Sequence, residues 1–354
     1  MVRLRDVLSA LPAYTPGRPA GSDGERAAYK ISSNENPYPP LPSVLTAIDR
    51  AAQEINRYPD MAATALIERI AAALDVPAAR IACGPGSVGV LGQIIQAACD
   101  QGDEVLFAWR SFEAYPIITR LAGAIPVHVP LTPDARHDLP AMAAAITERT
   151  RVVVVCTPNN PTGTTITAAE LEDFLEAVPE DVLVVIDEAY TEFVTADDAP
   201  DTLAVHRNRP NVAVLRTFSK AYGLAGLRIG YAVAHEPVAL ALRKTAIPFG
   251  VNSLAQVAAI ASLDAVDELE LRVKDLVTER ERVAQALAEA GWQLPPSQAN
   301  FVWFPLAQRS TEFAAACAEA GLTVRPYGDD GVRATVAEPQ ANDRLIEVAA
   351  AFLR

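Results

Sequence analysis

No apolar run in this 354-residue chain approaches the roughly 20 residues that span a bilayer. The longest uninterrupted ones, such as residues 152–156 and 182–186, have the length of strands, so no membrane insertion is expected. Cysteine and histidine are scarce. Cys83, Cys99, Cys156 and Cys317 lack Cys-x-x-Cys spacing and the four histidines form no ligand pattern, which argues against a disulfide framework or a metal centre. Positive charge is also in deficit, with 30 Lys and Arg against 44 Asp and Glu and a formal net charge of -14. An acidic surface repels nucleic acids and anionic membranes at long range, so neither partner is expected. The first 13 residues are interrupted by Arg3, Arg5, Asp6 and Pro12 and lack the apolar stretch of a secretory signal. Together with reduced cysteines, this predicts a soluble cytoplasmic protein.

What the chain does have is core-forming material. Half of its residues are hydrophobic and 21% are charged, the balance of a packed globular protein. The length suggests about two domains. Residues 12–42, rich in Pro, Gly and Ser, have the texture of an arm. Short β-branched runs at 104–107, 125–129, 152–156, 182–186, 212–216 and 229–233 then alternate with helical patterns, predicting an α/β fold with a parallel sheet covered by helices on both faces. The unbroken apolarity of residues 152–156 and 182–186 fits strands buried on both sides. After Pro248-Phe249-Gly250 the pattern changes to long helices, notably 267–290, with short strands near 301–304 and 331–336. The expected division is an arm over 1–30, a large domain over 31–250 and a small α+β domain over 251–354.

Polar residues stand where an open parallel sheet binds ligands, just beyond the carboxyl ends of its strands. One apolar run leads to Asn160, another to Asp187-Glu188-Ala189-Tyr190, and a third through Thr217 to Ser219-Lys220, so Asn160, Asp187 and Lys220 should meet in one crevice. An amine, a carboxylate and an amide in one crevice suit pyridoxal phosphate chemistry. The lysine forms a Schiff base with the cofactor aldehyde, the carboxylate keeps the pyridine nitrogen protonated, and Asn160 with the Tyr190 hydroxyl donates to the ring oxygen. Gly84-Pro85-Gly86-Ser87 before a helical pattern offers free N–H groups to a phosphate, and Ser219 and Arg228 could complete that site. Phe112 could stack on the ring, or serve as core. Singly, Asp187 could be a helix cap, Asn160-Pro161-Thr162-Gly163 a turn, and Lys220 a solvated helix start. Their joint occurrence favours the chemical reading.

The string Thr217-Phe218-Ser219-Lys220-Ala221-Tyr222-Gly223-Leu224-Ala225-Gly226-Leu227-Arg228-Ile229-Gly230-Tyr231 resembles the cofactor-lysine signature of class II aminotransferases of fold type I. Asn159-Asn160-Pro161-Thr162-Gly163 and Asp187-Glu188-Ala189-Tyr190 resemble the family's other two motifs, in the same order, and Asn34-Glu35-Asn36-Pro37-Tyr38 and Arg57-Tyr58-Pro59 extend the likeness over nearly the whole chain. The resemblance implies that Lys220 is the Schiff-base lysine and general base, with Asp187, Asn160 and Tyr190 on the ring. It also implies that Thr217, Ser219, Arg228, Gly86 and Ser87 hold phosphate. Tyr58 would reach the cofactor of a neighbouring subunit, giving a homodimer with shared active sites. Arg333 would clamp the substrate carboxylate, with Tyr14, Asn34 and Arg325 also on the substrate side. The branch resembled holds histidinol-phosphate and bacterial aromatic-amino-acid aminotransferases. The former commonly carry an acidic pair after the phosphate turn, where this chain has Val88-Gly89. The resemblance therefore points to phenylalanine, tyrosine or tryptophan as donor and 2-oxoglutarate as acceptor. Histidinol phosphate, a threonine-phosphate-type decarboxylation and a non-catalytic binding protein are the alternatives.

Overall fold

The computed structural model describes Val2, residues 4–11 and residues 28–354. Tyr14 lies outside the described residues. Twelve strands are present among those described: β1 (Tyr29–Lys30), β2 (Ile81–Gly84), β3 (Glu104–Trp109), β4 (Ile125–Pro130), β5 (Thr150–Cys156), β6 (Leu183–Asp187), β7 (Val212–Thr217), β8 (Gly230–Val233), β9 (Phe301–Phe304), β10 (Leu322–Thr323), β11 (Arg325–Pro326) and β12 (Val332–Thr335).

Seven of them form one sheet in the order β2-β8-β7-β6-β5-β3-β4. The run from β4 through β7 is parallel, as the alternation of strand and helix patterns predicts. On β5, Val152 and Val154 enter the core with Leu91, Ile94 and Ile95 of helix Gly86–Ala98, whereas Val153 and Val155 enter the core with Leu171 and Phe174 of helix Ala168–Ala177. Burial on both faces thus explains the continuous apolarity of this strand. Helix Ala168–Ala177 begins at a Thr167 capping box: the Thr167 hydroxyl accepts from the Glu170 N–H, and the Glu170 carboxylate accepts from the Thr167 N–H.

The sheet is mostly parallel, as expected, with one strand the exception. β8 runs antiparallel to both β7 and β2. Only residues 218–229 connect β7 to β8, and they contain a single short 3-10 turn, Ala225–Leu227. A parallel return normally needs a helical crossover, so this loop allows the antiparallel one. β2 is a further strand, with only four residues, Ala and Gly among them, and little sequence signal.

A second core lies under the antiparallel sheet β11-β12-β9. It gathers Val302, Phe304, Val332 and Ala334 with Val283 and Leu287 of helix Val266–Glu289, Phe313 of helix Ser310–Glu319 and Leu345 of helix Pro339–Phe352. Ile31 joins this core, next to β1, which pairs in parallel with β10. Helix Ser253–Asp264 goes the other way and packs its Ala255, Ala258 and Ala259 with Val44, Leu66 and Phe218 of the larger body. All four cysteines are unpaired. Among the described residues no helix is long and apolar enough to cross a membrane, and no cluster of His, Cys, Asp and Glu could hold a metal ion.

Candidate active site

The carboxyl ends of the parallel strands open into a cavity of about 450 Å³. Asn160 follows β5, Asp187 ends β6, Thr217 ends β7 and Lys220 follows it; all four line this cavity. Four elements that are distant in sequence complete it: the Ser32-Ser33-Asn34 segment, the start of helix Gly86–Ala98 with Ser87 and Val88, the stretch from Phe112 to Ile118, and Arg325, Tyr327 and Arg333 on and between β11 and β12.

The Lys220 amine donates to the Ser33 carbonyl at 3.0 Å. Burial lowers its pKa to about 7, and the neighbouring Arg333 guanidinium acts in the same direction. A substantial share of this amine is therefore neutral and nucleophilic near neutral pH. Asp187 is 4% exposed, and its carboxylate accepts from the Tyr115 hydroxyl at 2.7 Å and from the Ala189 N–H at 3.2 Å. Burial raises its pKa to about 6 against the opposing pull of those donors. Asp187 has no ion-pair partner among the described residues, although Glu188 beside it is paired with Arg216.

The sign of that cost can be measured. With a folded pKa near 6 and an ordinary value of 3.8, the folded state binds more protons than the unfolded state between those values, so stability falls as pH rises through the window. In ligand-free protein, Asp187→Asn should raise stability above pH 6, by up to about 3 kcal/mol at about 1.4 kcal/mol per unit. Below pH 4 the gain should vanish. Urea unfolding of both proteins at pH 4 and pH 7.5 checks this.

At the opposite end of the cavity, groups suited to an anion cluster together. Gly86 sits at the helix start with φ +79°, and the space beside its Cα is filled by the Arg228 guanidinium, which a Cβ would displace. Arg228 adopts φ 58° and donates from Nη1 to the Ser219 hydroxyl at 3.3 Å and the Ala225 carbonyl at 2.9 Å. The Thr217 hydroxyl donates to Ser219 Oγ at 3.0 Å. A helix N-terminus, two hydroxyls and an arginine form a dianion cradle.

Arg333, 5% exposed, donates from Nη2 to the Ser32 carbonyl at 2.7 Å and from Nη1 to Asn160 Oδ1, while its buried Nε has no hydrogen-bond partner among the described residues. Asn34 donates from Nδ2 to the Tyr190 hydroxyl at 2.9 Å, and its backbone N–H donates to Thr335 Oγ1 at 2.9 Å. Arg325 Nη2 donates to Glu113 Oε2 at 2.5 Å. Phe112 is half-buried on the wall and meets Tyr115 edge-on, with ring centroids 5.5 Å apart. Val88, Ile117 and Ile118 extend that apolar wall.

Tyr58 does not line the cavity. It is 83% exposed and stacks on Phe249 at 4.6 Å. Conversely, Tyr115, Ser32, Ser33, Glu113 and Tyr327 belong to the site or its immediate support without a sequence signal of their own. Tyr115 reads as one more apolar position of helix Ala114–Ala122, and Ser32 and Ser33 participate through backbone carbonyls.

The model of the aminotransferase class I and II family matches residues 28–349. Among curated relatives, an aromatic amino acid aminotransferase of Streptomyces coelicolor is 60% identical over 350 residues, covering 99% of this chain and 97% of the relative. The protein of the same name from Thermobifida fusca is 54% identical over 350 residues, with the same coverage. Among solved structures, the histidinol-phosphate aminotransferase of Sinorhizobium meliloti in complex with pyridoxal-5'-phosphate superposes with a TM-score of 0.89 at 30% identity, covering 99% of both chains. An amine, a buried carboxylate and an anion cradle at the carboxyl end of this sheet thus accompany full-length similarity, and the chain belongs to the class I and II aminotransferases, with their fold type I α/β architecture.

Proposed function

We propose that this chain binds pyridoxal 5'-phosphate and transfers the amino group of phenylalanine, tyrosine or tryptophan to 2-oxoglutarate. The observation that carries the cofactor assignment is one cavity that holds a buried, readily deprotonated Lys220, a buried Asp187 without an ion-pair partner among the described residues, and a cradle for a dianion. When bound, pyridoxal phosphate supplies a protonated ring that withdraws electrons from the amino acid α-carbon. Lys220 would hold it through Nζ, and as a free amine would take the proton from the amino acid's α-carbon. Asp187 holds the ring nitrogen's proton. Asn160 and Tyr190 serve the ring oxygen, Phe112 covers the ring face, and Gly86, Ser87, Thr217, Ser219 and Arg228 bind the phosphate.

The free Nε of Arg333 supports a role in gripping the substrate carboxylate, with Asn34 and Arg325 lining the same side. Removing a buried charged partner of this kind typically costs 2–4 kcal/mol. Arg333→Ala should therefore lower kcat/KM about 30- to 1,000-fold, chiefly through KM for both the amino acid and the oxo acid. Initial rates over a substrate series check this.

Donor choice rests on the apolar wall of Val88, Phe112, Ile117 and Ile118 and on the curated relatives. Elsewhere in the cavity lining, pairing with Glu113 offsets the charge of Arg325, which suits an uncharged aromatic ring. We further propose a homodimer in which Tyr58 reaches the partner's cofactor phosphate, supported by the exposed Tyr58–Phe249 stack. Sedimentation equilibrium should then give about twice the 37.7 kDa chain mass, whereas a single-chain mass contradicts the shared site. The division into an arm, a large domain over 31–250 and a small domain over 251–354, with helix Ser253–Asp264 packed instead on the larger body and Ile31 in the smaller core, and a cytoplasmic setting, complete the proposal.

A further inference from the structure

Tyr115 touches both Asp187 and Phe112 without lining the cavity. It lies on helix Ala114–Ala122, is 1% exposed, and packs on Phe107 of β3 with ring centroids 5.5 Å apart. Its hydroxyl donates to Asp187 Oδ2 at 2.7 Å, and its ring meets Phe112 edge-on. We propose that Tyr115 is a positioning residue for the reaction, fixing the Asp187 carboxylate as the charged partner of the cofactor's ring nitrogen while holding the Phe112 ring against the cavity. The proposal rests on the cofactor assignment above and extends it to a residue outside the cavity lining.

The physical case starts from the surroundings of Asp187. From β5, Cys156 lines the same cavity and bears on Tyr115. Just after β6, Glu188 adds a like charge, itself paired with Arg216 at 2.8 Å. After β7, Lys220 and Arg228 share the cavity. None of these donates a hydrogen bond to Asp187, whose donors among the described residues are the Tyr115 hydroxyl and the Ala189 N–H. A buried carboxylate held by two donors loses charge stabilisation when one is removed, and its pKa then moves further up. A neutral carboxyl no longer secures the proton on the ring nitrogen. The ring of Tyr115 is needed for packing, but only the hydroxyl performs this task, so Tyr115→Phe separates the two.

The test uses two readouts on the wild-type protein and Tyr115→Phe. Cofactor-free protein is titrated with pyridoxal phosphate from pH 5.5 to 8.5, following intrinsic fluorescence, and the pH profile of kcat/KM is recorded with phenylalanine and 2-oxoglutarate. Near pH 6.5 the variant should bind the cofactor about tenfold more weakly and recover most of that loss by pH 8.5, one unit of pKa being a factor of ten. The acid limb of its activity profile should move up by about one pH unit. Binding and acid limb both unchanged in the variant would overturn the positioning role and leave the cofactor assignment intact. A wild-type protein that takes up no pyridoxal phosphate would instead sink that assignment, and this inference with it.

Discussion

Lys220→Ala should reduce amino transfer by at least about 1,000-fold. A positioned acid–base group alone contributes 100- to 10,000-fold, and this residue also provides the covalent attachment. The ammonium form is disfavoured because the side chain is buried and faces Arg333, both of which lower its pKa to about 7. Among the described residues no other lysine lines the cavity. The variant should still fold, since the polar side-chain contacts it loses are one hydrogen bond to the Ser33 carbonyl and the approach of Nζ to the Tyr190 ring at 5.8 Å, and burial of the charged form was unfavourable. Cofactor held only by non-covalent contacts should remain, at reduced affinity. The measurement is steady-state turnover of Lys220→Ala with its circular dichroism spectrum recorded beside the wild type. Turnover within tenfold of the wild type, in a folded variant, would contradict the assignment.

Asp187→Asn should be nearly as damaging, with kcat reduced by about 100- to 10,000-fold. An asparagine keeps the shape of the side chain but cannot balance a protonated ring nitrogen, so the electron-withdrawing ability of the ring is lost. The same substitution should stabilise the ligand-free protein above pH 6, because it removes a buried charge that burial pushes up to about 6. Opposite effects on activity and ligand-free stability would mark Asp187 as a residue kept for chemistry at a cost in stability. A parallel loss of both would instead mark it as a structural cap.

Most of the fold is legible in the residues because burial on two faces writes itself as unbroken apolar runs. VVVVC of β5 and the apolar run that β6 belongs to are read directly, and so is the position of Asn160, Asp187 and Lys220 at strand ends. The direction of β8 is less legible, since an apolar run carries no sign of its polarity and only the short connection from β7 reveals it. The four-residue β2 lacks the length for periodicity to register. Within the site, contiguous motifs are readable and long-range partners are not. The Tyr115–Asp187 hydrogen bond joins residues 72 apart, and the Arg333 bond to Ser32 joins residues 301 apart through a backbone carbonyl that any residue type could supply. Tyr58 shows the reverse case, a motif residue outside the cavity of its own chain.

The decisive measurement is product analysis on purified protein supplied with pyridoxal phosphate and 2-oxoglutarate, comparing phenylalanine with histidinol phosphate as donor. Glutamate and phenylpyruvate should appear in equal amounts, with kcat/KM for phenylalanine well above that for histidinol phosphate. Preference for histidinol phosphate would contradict the aromatic assignment, and release of carbon dioxide in place of glutamate would contradict amino transfer itself.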